Sequence, residues 1–106
     1  MWKIDNGSTN GTTTPVYATA LDWEVRELAQ KSILLKNTHV SASLYYRLTG
    51  YVRSDGIAKE LAAETLLAPG ETAEFHYERQ WQRFMLQVKS STDPATYQAD
   101  WQGQGA

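Results

Sequence analysis

Short segments in which apolar and polar residues alternate constrain this chain most, because turn-forming residues interrupt them about every ten positions. One such segment ends at Val25 and places Tyr17, Leu21 and Trp23 on the same face, with a bend expected near Ala20. A period of two is typical of a half-buried strand, and the pattern recurs along most of the sequence. About seven or eight such strands predict an all-β fold, an antiparallel β-sandwich that is Ig-like or jelly-roll-like.

The later segments predict a tight turn and most of the core. Pro69 and Gly70 stand at the positions that define a type II turn, so the segments on either side of them should pair as strands. Residues 58–63 have high helix propensity but a strand context, and both interpretations stay open there, whereas residues 64–67 are expected to be strand. The expected core contains inward-facing aromatic and aliphatic side chains: Phe75, Phe84, Leu86, Tyr97 and Trp101.

The longest predicted strand follows residue 40 and separates two kinds of side chain. Its inward positions include Leu44, Tyr46, Leu48 and Val52, and its outward positions carry two tyrosines and two arginines, Tyr45, Arg47, Tyr51 and Arg53. Tyrosine and arginine are enriched where proteins bind one another, so this stripe is a candidate partner-binding surface. The alternative is that another segment of the chain covers the tyrosine rings and leaves the guanidinium groups in water.

The two ends of the chain are predicted to lie outside the packed domain. Residues 1–14 are rich in Asn, Gly, Ser and Thr and are expected to form a flexible arm, and residues 103–106 a flexible tail, around a domain at residues 15–102. Trp2 and Ile4 are apolar residues near the tip of this arm. They are therefore further candidate partner-binding residues.

Composition argues against several function classes. The net charge of −2 is unlike that of a general nucleic-acid binder, and the absence of cysteine excludes disulfides and thiolate metal sites. His39 and His76 form no known catalytic motif, and Glu74 and Glu78 beside His76 are typical of a solvated strand face. We therefore expect no catalytic residue, no metal site, no cofactor and no nucleic-acid partner. No apolar run approaches the length that crosses a bilayer, so no membrane association is expected either.

Three segments together carry a resemblance to a known class of proteins. They are LLKNTHVSASLYYRLTGYV, LLAPGETAEFHYERQWQRFMLQVKSS and TYQADWQG, which span about residues 31–103. This run resembles small Ig-like or jelly-roll-like β-sandwich proteins of tailed bacteriophage virions, and among these it is most similar to head decoration proteins. The resemblance implies a protein on the capsid surface, made in the host cytoplasm, that binds the major capsid protein or another virion protein. It also implies a possible homo-oligomer and no catalysis.

Alternative functions remain open at this stage. A head–tail or tail accessory protein would share the same features. A carbohydrate-binding or adhesive Ig-like module would use exposed rings, for which Trp81 and Tyr51 are candidates, although Trp81 is first expected to fill the core at a corner of the sandwich. An enzyme that uses the Glu-rich strand is the least favoured alternative.

Overall fold

The computed structural model describes residues 3–25, 28–53, 55–78, 81–91 and 93–105. Within these residues the chain forms eight β-strands and no helix. The strands are β1 (Lys3–Thr12), β2 (Ala18–Glu24), β3 (Gln30–Asn37), β4 (Leu44–Tyr51), β5 (Ala58–Leu67), β6 (Thr72–Glu78), β7 (Arg83–Lys89) and β8 (Thr96–Gly105).

The strands form two four-stranded antiparallel sheets. Sheet A has the order β1-β8-β3-β6 and sheet B has the order β2-β7-β4-β5. The first strand pairs with the last, the second with the seventh, the third with the sixth and the fourth with the fifth, as in a long hairpin that has been rolled up. The predicted all-β sandwich is therefore confirmed, and its strand order is that of a jelly roll rather than an Ig domain.

The core lies between the inward faces of the two sheets. Phe84 and Leu86 on β7 are completely buried, and Phe75 and Tyr97 are nearly so, as predicted. Trp101 is partly exposed, but its ring packs 6.4 Å from that of Trp23 and it contacts the core. The alternating pattern located these residues because one face of each strand is removed from water.

Residues 3–12, predicted to belong to a flexible arm, instead form the edge strand β1. This strand pairs with β8 in an unbroken antiparallel register. Gly7 lies opposite Trp101 and Gly11 opposite Tyr97, and a Cβ atom on either glycine would collide with the facing ring. The arm prediction is wrong over these residues because large rings supplied by β8 cover a strand that has few apolar atoms of its own.

The predicted C-terminal tail is also wrong over the residues that the structure describes. Strand β8 continues to Gly105, and Gly103 and Gly105 are buried. A Cβ atom on Gly103 would lie 2.5 Å from Leu28 Cδ1 and 3.1 Å from an atom of the Trp23 ring. The small residues at this end therefore make room for larger side chains on other segments.

The structure of β5 and its flanking segments decides three further predictions, which concern residues 58–63, the turn at Gly70 and Val52. Residues 58–63 are strand, as part of β5, and the turn after β5 has Gly70 at a φ of 80° with a hydrogen bond from Glu71 N to Ala68 O. Before β5, Val52 was expected to point inward, and this prediction is wrong. Strand β4 ends at Tyr51, so Val52 lies in the following connection with 54% of its surface exposed.

Candidate interaction surfaces

The outward face of sheet B carries most of the predicted tyrosine and arginine stripe. Tyr45, Arg47 and Tyr51 alternate along β4 and are partly buried. Neighbouring strands add side chains to the same face, and we name the whole set the tyrosine–cation face. Its members are Tyr17, Tyr45, Arg47, Tyr51, Arg83 and Lys89.

Tyr17 lies where the charged ends of the Arg47 and Lys89 side chains come together on this face. Arg47 Cζ lies 4.0 Å and Lys89 Nζ 4.8 Å from the centre of its ring, which are cation–π distances. The Tyr17 hydroxyl donates to Glu64 Oε1 at 2.7 Å, and Lys89 Nζ lies 3.0 Å from the same oxygen. Burial and the bond to Glu64 raise the pKa of Tyr17, and the bonds from Tyr17 and Lys89 lower the pKa of Glu64.

Arg83 organises the other end of the tyrosine–cation face. Its guanidinium lies 5.1 Å from the centre of the Tyr51 ring and donates through Nε and Nη2 to the two carboxylate oxygens of Asp22, both at 2.7 Å. This two-point contact with Arg83 lowers the pKa of Asp22. Arg47 Nε in turn donates to Gln87 Oε1 at 2.7 Å. The cations on the face are thus held in fixed positions over flat rings.

Sequence reasoning missed Tyr17 as a member of this face for a specific reason. The register of β2 against β7 shifts between Thr19 and Leu21, where a bend was expected near Ala20. Such a bulge reverses which face the residues before it occupy. Tyr17 therefore lies on the outward face, although strict alternation places it with Trp23. Lys89 and Arg83 could have been found, because both hold outward positions in the alternating pattern of β7.

The other predicted partner-binding residues do not join the tyrosine–cation face. Trp2 lies outside the described residues. Ile4 projects from the edge strand β1 of sheet A and is 58% exposed. Arg53 follows the end of β4, where its guanidinium lies 3.8 Å from Asp55 and most of the side chain is exposed. The structure therefore groups three of the six predicted residues and separates Arg53 and Ile4 from them.

Arg53 instead lines a cavity of about 520 Å³ at one end of the sandwich. We name it the Trp81 pocket, and its lining residues are Val52, Arg53, Gly56, Ile57, Lys59 and Trp81. Trp81 is partly buried, with ring centres 6.5 Å from Tyr77 and 6.3 Å from Phe84. Both interpretations of Trp81 are therefore partly right, because Trp81 packs on the core and also faces a surface cavity.

The outward face of sheet A is mostly polar, with Ile4 and Leu34 as its exposed apolar side chains. Ser8 Oγ donates to Asp100 Oδ1 at 2.5 Å, and Gln98 Nε2 donates to the same oxygen at 3.0 Å, which together lower the pKa of Asp100. His76 Nδ1 lies 2.9 Å from Ser32 Oγ on the adjacent strand. These groups hydrogen-bond to one another across neighbouring strands, as is usual on a solvated sheet.

The described part of the chain offers little for metal chemistry. Nowhere in it do three or more His, Asp or Glu side chains come together in a group that could hold a metal ion. His39 is used structurally, because its Nδ1 accepts from the backbone N–H groups of Ser41 and Ala42. Among the described residues there is also no helix of the length and apolarity that a membrane span requires.

No known protein family matches the chain, and no curated protein matches it by sequence. Solved structures do match. A Bacillus endospore-appendage protein of disulfide-linked pili has a TM-score of 0.61 and 11% identity and covers 99% of this chain and 89% of its own. The Yersinia pseudotuberculosis-derived mitogen has a TM-score of 0.62 and 14% identity, and the alignment covers 92% of this chain and 84% of that one.

A third similar structure comes from a prophage. The SPBc2 prophage-derived protein YomS has a TM-score of 0.53 and 13% identity, and the alignment covers 99% of this chain and 96% of that one. A pilus protein, a mitogen and a prophage protein thus resemble this chain in fold. At identities this low, the similarity establishes for this chain an all-β sandwich fold and nothing more specific.

Proposed function

We propose that this protein is a structural protein of a tailed-phage virion that decorates and stabilises the capsid shell. The single observation that carries the proposal is the tyrosine–cation face, where three tyrosine rings and three cations lie on one side of sheet B. Tyrosine and arginine are the residues enriched at the centres of protein–protein interfaces. The docking surface of the proposal is this face, and its partner is the major capsid protein or another virion protein.

The geometry of the face suits repeated docking on a rigid shell. The Arg47 guanidinium is stacked on the Tyr17 ring and bonded to Gln87, so little side-chain freedom remains to be lost on binding. A ligand that binds only the assembled shell stabilises it by mass action, and many weak sites on one lattice reinforce one another. The same fold also occurs in a prophage-derived protein, in an alignment that covers 99% of this chain and 96% of that one.

The test is binding to empty capsids of the source phage from which this protein has been removed. Two double variants, Tyr45→Ala with Tyr51→Ala and Arg47→Ala with Arg83→Ala, should reduce co-sedimentation with capsids by at least about tenfold if these rings and cations form the centre of the contact. A matched control, Gln98→Ala with Gln102→Ala, alters exposed residues on the opposite sheet and should bind as the parent does. Each variant is first shown by circular dichroism to be folded.

Three results would overturn the proposal. If both double variants coat capsids as well as the parent, the tyrosine–cation face is not the docking surface. If the parent binds purified tails or necks but not capsids, the protein is an accessory protein of that part of the virion. If it binds a glycan panel and no virion component, it is a carbohydrate-binding module.

A separate measurement, sedimentation equilibrium of the parent protein, tests whether it forms the homo-oligomer that the resemblance implies.

A further inference from the structure

The Trp81 pocket has the properties of a binding site for a protein segment. We propose that it receives an extended acidic peptide segment of a partner protein, with one apolar side chain in the pocket and neighbouring carboxylates on its rim. Two features point to this occupant: the apolar lining and the pair of cations at the edge. No residue that lines the pocket belongs to the tyrosine–cation face, so the inference does not depend on the proposed function.

Apolar side chains stand open to water around this pocket. Ile57 is 91% exposed and Val52 is 54% exposed, and both lie in the connection between β4 and β5 beside the Trp81 ring. Scattered exposed apolar residues are common, but here they converge on one cavity of about 520 Å³. A cavity of this size and lining accommodates a large aliphatic or aromatic side chain.

The Trp81 wall of the pocket is already in place before anything binds. The ring packs on Tyr77 and Phe84, and it lies over Gly50, where a Cβ atom would come within 2.9 Å of it. The backbone is also tied down, because Lys31 Nζ donates to the Trp81 carbonyl at 3.2 Å and Gln82 N donates to Tyr51 O at 2.8 Å. A preorganised aromatic wall reduces the entropy lost when a partner binds.

The charges on the rim select the sign of the partner. Arg53 and Lys59 both line the pocket, and no carboxylate is among its lining residues in the described part of the chain. Asp55 lies 3.8 Å from Arg53, but both side chains are mostly exposed, so this contact is weak and readily exchanged for another carboxylate. The rim therefore complements a segment in which an apolar residue is flanked by Asp or Glu.

The position of the pocket favours an extended peptide over a small molecule. Lys59 belongs to β5, which lies at the edge of sheet B and pairs with β4 alone among the described strands. An edge strand has backbone N–H and C=O groups that can pair with an added strand. A segment that runs along this edge passes the Trp81 pocket, where its apolar side chain can enter.

The test uses capped tripeptides and the whole protein. Acetyl-Glu-Phe-Glu-amide is titrated while the ¹H–¹⁵N signal of the Trp81 indole is followed, assigned with Trp81→Phe. A saturable shift is expected with this peptide and not with Acetyl-Lys-Phe-Lys-amide or Acetyl-Glu-Ser-Glu-amide. Arg53→Gln with Lys59→Gln should weaken binding about fivefold, as expected for two exposed ion pairs, and remove its salt dependence. The matched control Lys36→Gln, on the outward face of sheet A, should bind as the parent does.

Variants of the pocket itself complete the test. Ile57 is almost fully exposed, so Ile57→Ser should leave the fold intact and still weaken the acidic peptide roughly tenfold through lost apolar contact. Equal shifts with the acidic and basic peptides, or no shift at the Trp81 indole, would refute the proposal. Concentration-dependent shifts of the protein alone that Ile57→Ser abolishes would also refute it, because the occupant would then be a second copy of this chain.

Discussion

Gly7→Ala tests whether the polar N-terminal segment is an integral strand of the sandwich. A Cβ atom at this position would lie 2.8 Å from Trp101 Cε2 and 2.9 Å from Trp101 Cη2, whereas ordinary contact begins near 3.4 Å. Trp101 Cζ2 would be closer still, so the indole would have to move by about 1 Å, and it packs on Trp23 in the core. Overpacking of this kind costs about 1–3 kcal/mol. Replacing glycine with alanine recovers about 0.4–1 kcal/mol of chain entropy.

Because the ring must move this far, the cost of overpacking should lie in the upper half of its range, and after the entropy gain the expected net loss is about 1–2.5 kcal/mol in the free energy of unfolding. Urea denaturation followed by tryptophan fluorescence measures it, and with a slope of about 1–2 kcal/mol/M the midpoint should fall by roughly 1 M. Asn6→Ala is the matched control, because Asn6 is the outward-facing neighbour on the same strand. It should change stability by less than about 0.5 kcal/mol.

A double-mutant cycle with Trp101→Leu identifies the cause of the loss. If the indole is what the new Cβ atom meets, Gly7→Ala should cost much less in the Trp101→Leu background than in the parent. Additive effects in the two backgrounds, or a Gly7→Ala protein as stable as the parent, would show that β1 does not pack against Trp101. Residues 3–12 would then behave as the arm that the sequence predicts.

Two further predictions concern the core and the charged contacts. Phe84 is completely buried, so Phe84→Ala should cost about 3–5 kcal/mol by the same urea assay, and a cost under about 1 kcal/mol would mean that this strand packs with the opposite face inward. The bond from Arg83 lowers the pKa of Asp22 in the folded state. The stability that ionised Asp22 contributes is therefore fully present above its unfolded-state pKa of about 3.9, and it is lost as the pH falls through its lower folded-state pKa. Thermal melts between about pH 6 and pH 2 should therefore show a smaller decline in melting temperature for Asp22→Asn than for the parent.

Local rules were sufficient for most of the strands and for much of the core. The alternation along β7 predicted that Phe84 and Leu86 point inward, and both are buried. The turn at Gly70 followed from Pro and Gly at adjacent positions and has the positive φ that a type II turn requires. These features depend on a few neighbouring residues, which is why reasoning from sequence reached them.

The candidate surfaces were predicted only in part, because each combines distant segments. Tyr45, Arg47 and Tyr51 were identified from one strand, but Tyr17 was assigned to the wrong face because a bulge in β2 reverses the pattern. The Trp81 pocket takes its walls from two connections and from β5, so no single stretch of sequence outlines it.

By itself, the sequence determined that the chain is a β-sandwich, since a period of two with frequent turns leaves few other ways to bury one face of every strand. It did not determine that residues 3–12 belong to the sandwich. Those residues are glycine-rich and polar, so their own composition favours disorder. Only the tertiary structure decided otherwise, because Trp101 and Tyr97, about ninety residues away in the sequence, cover the glycines with rings that β1 itself lacks.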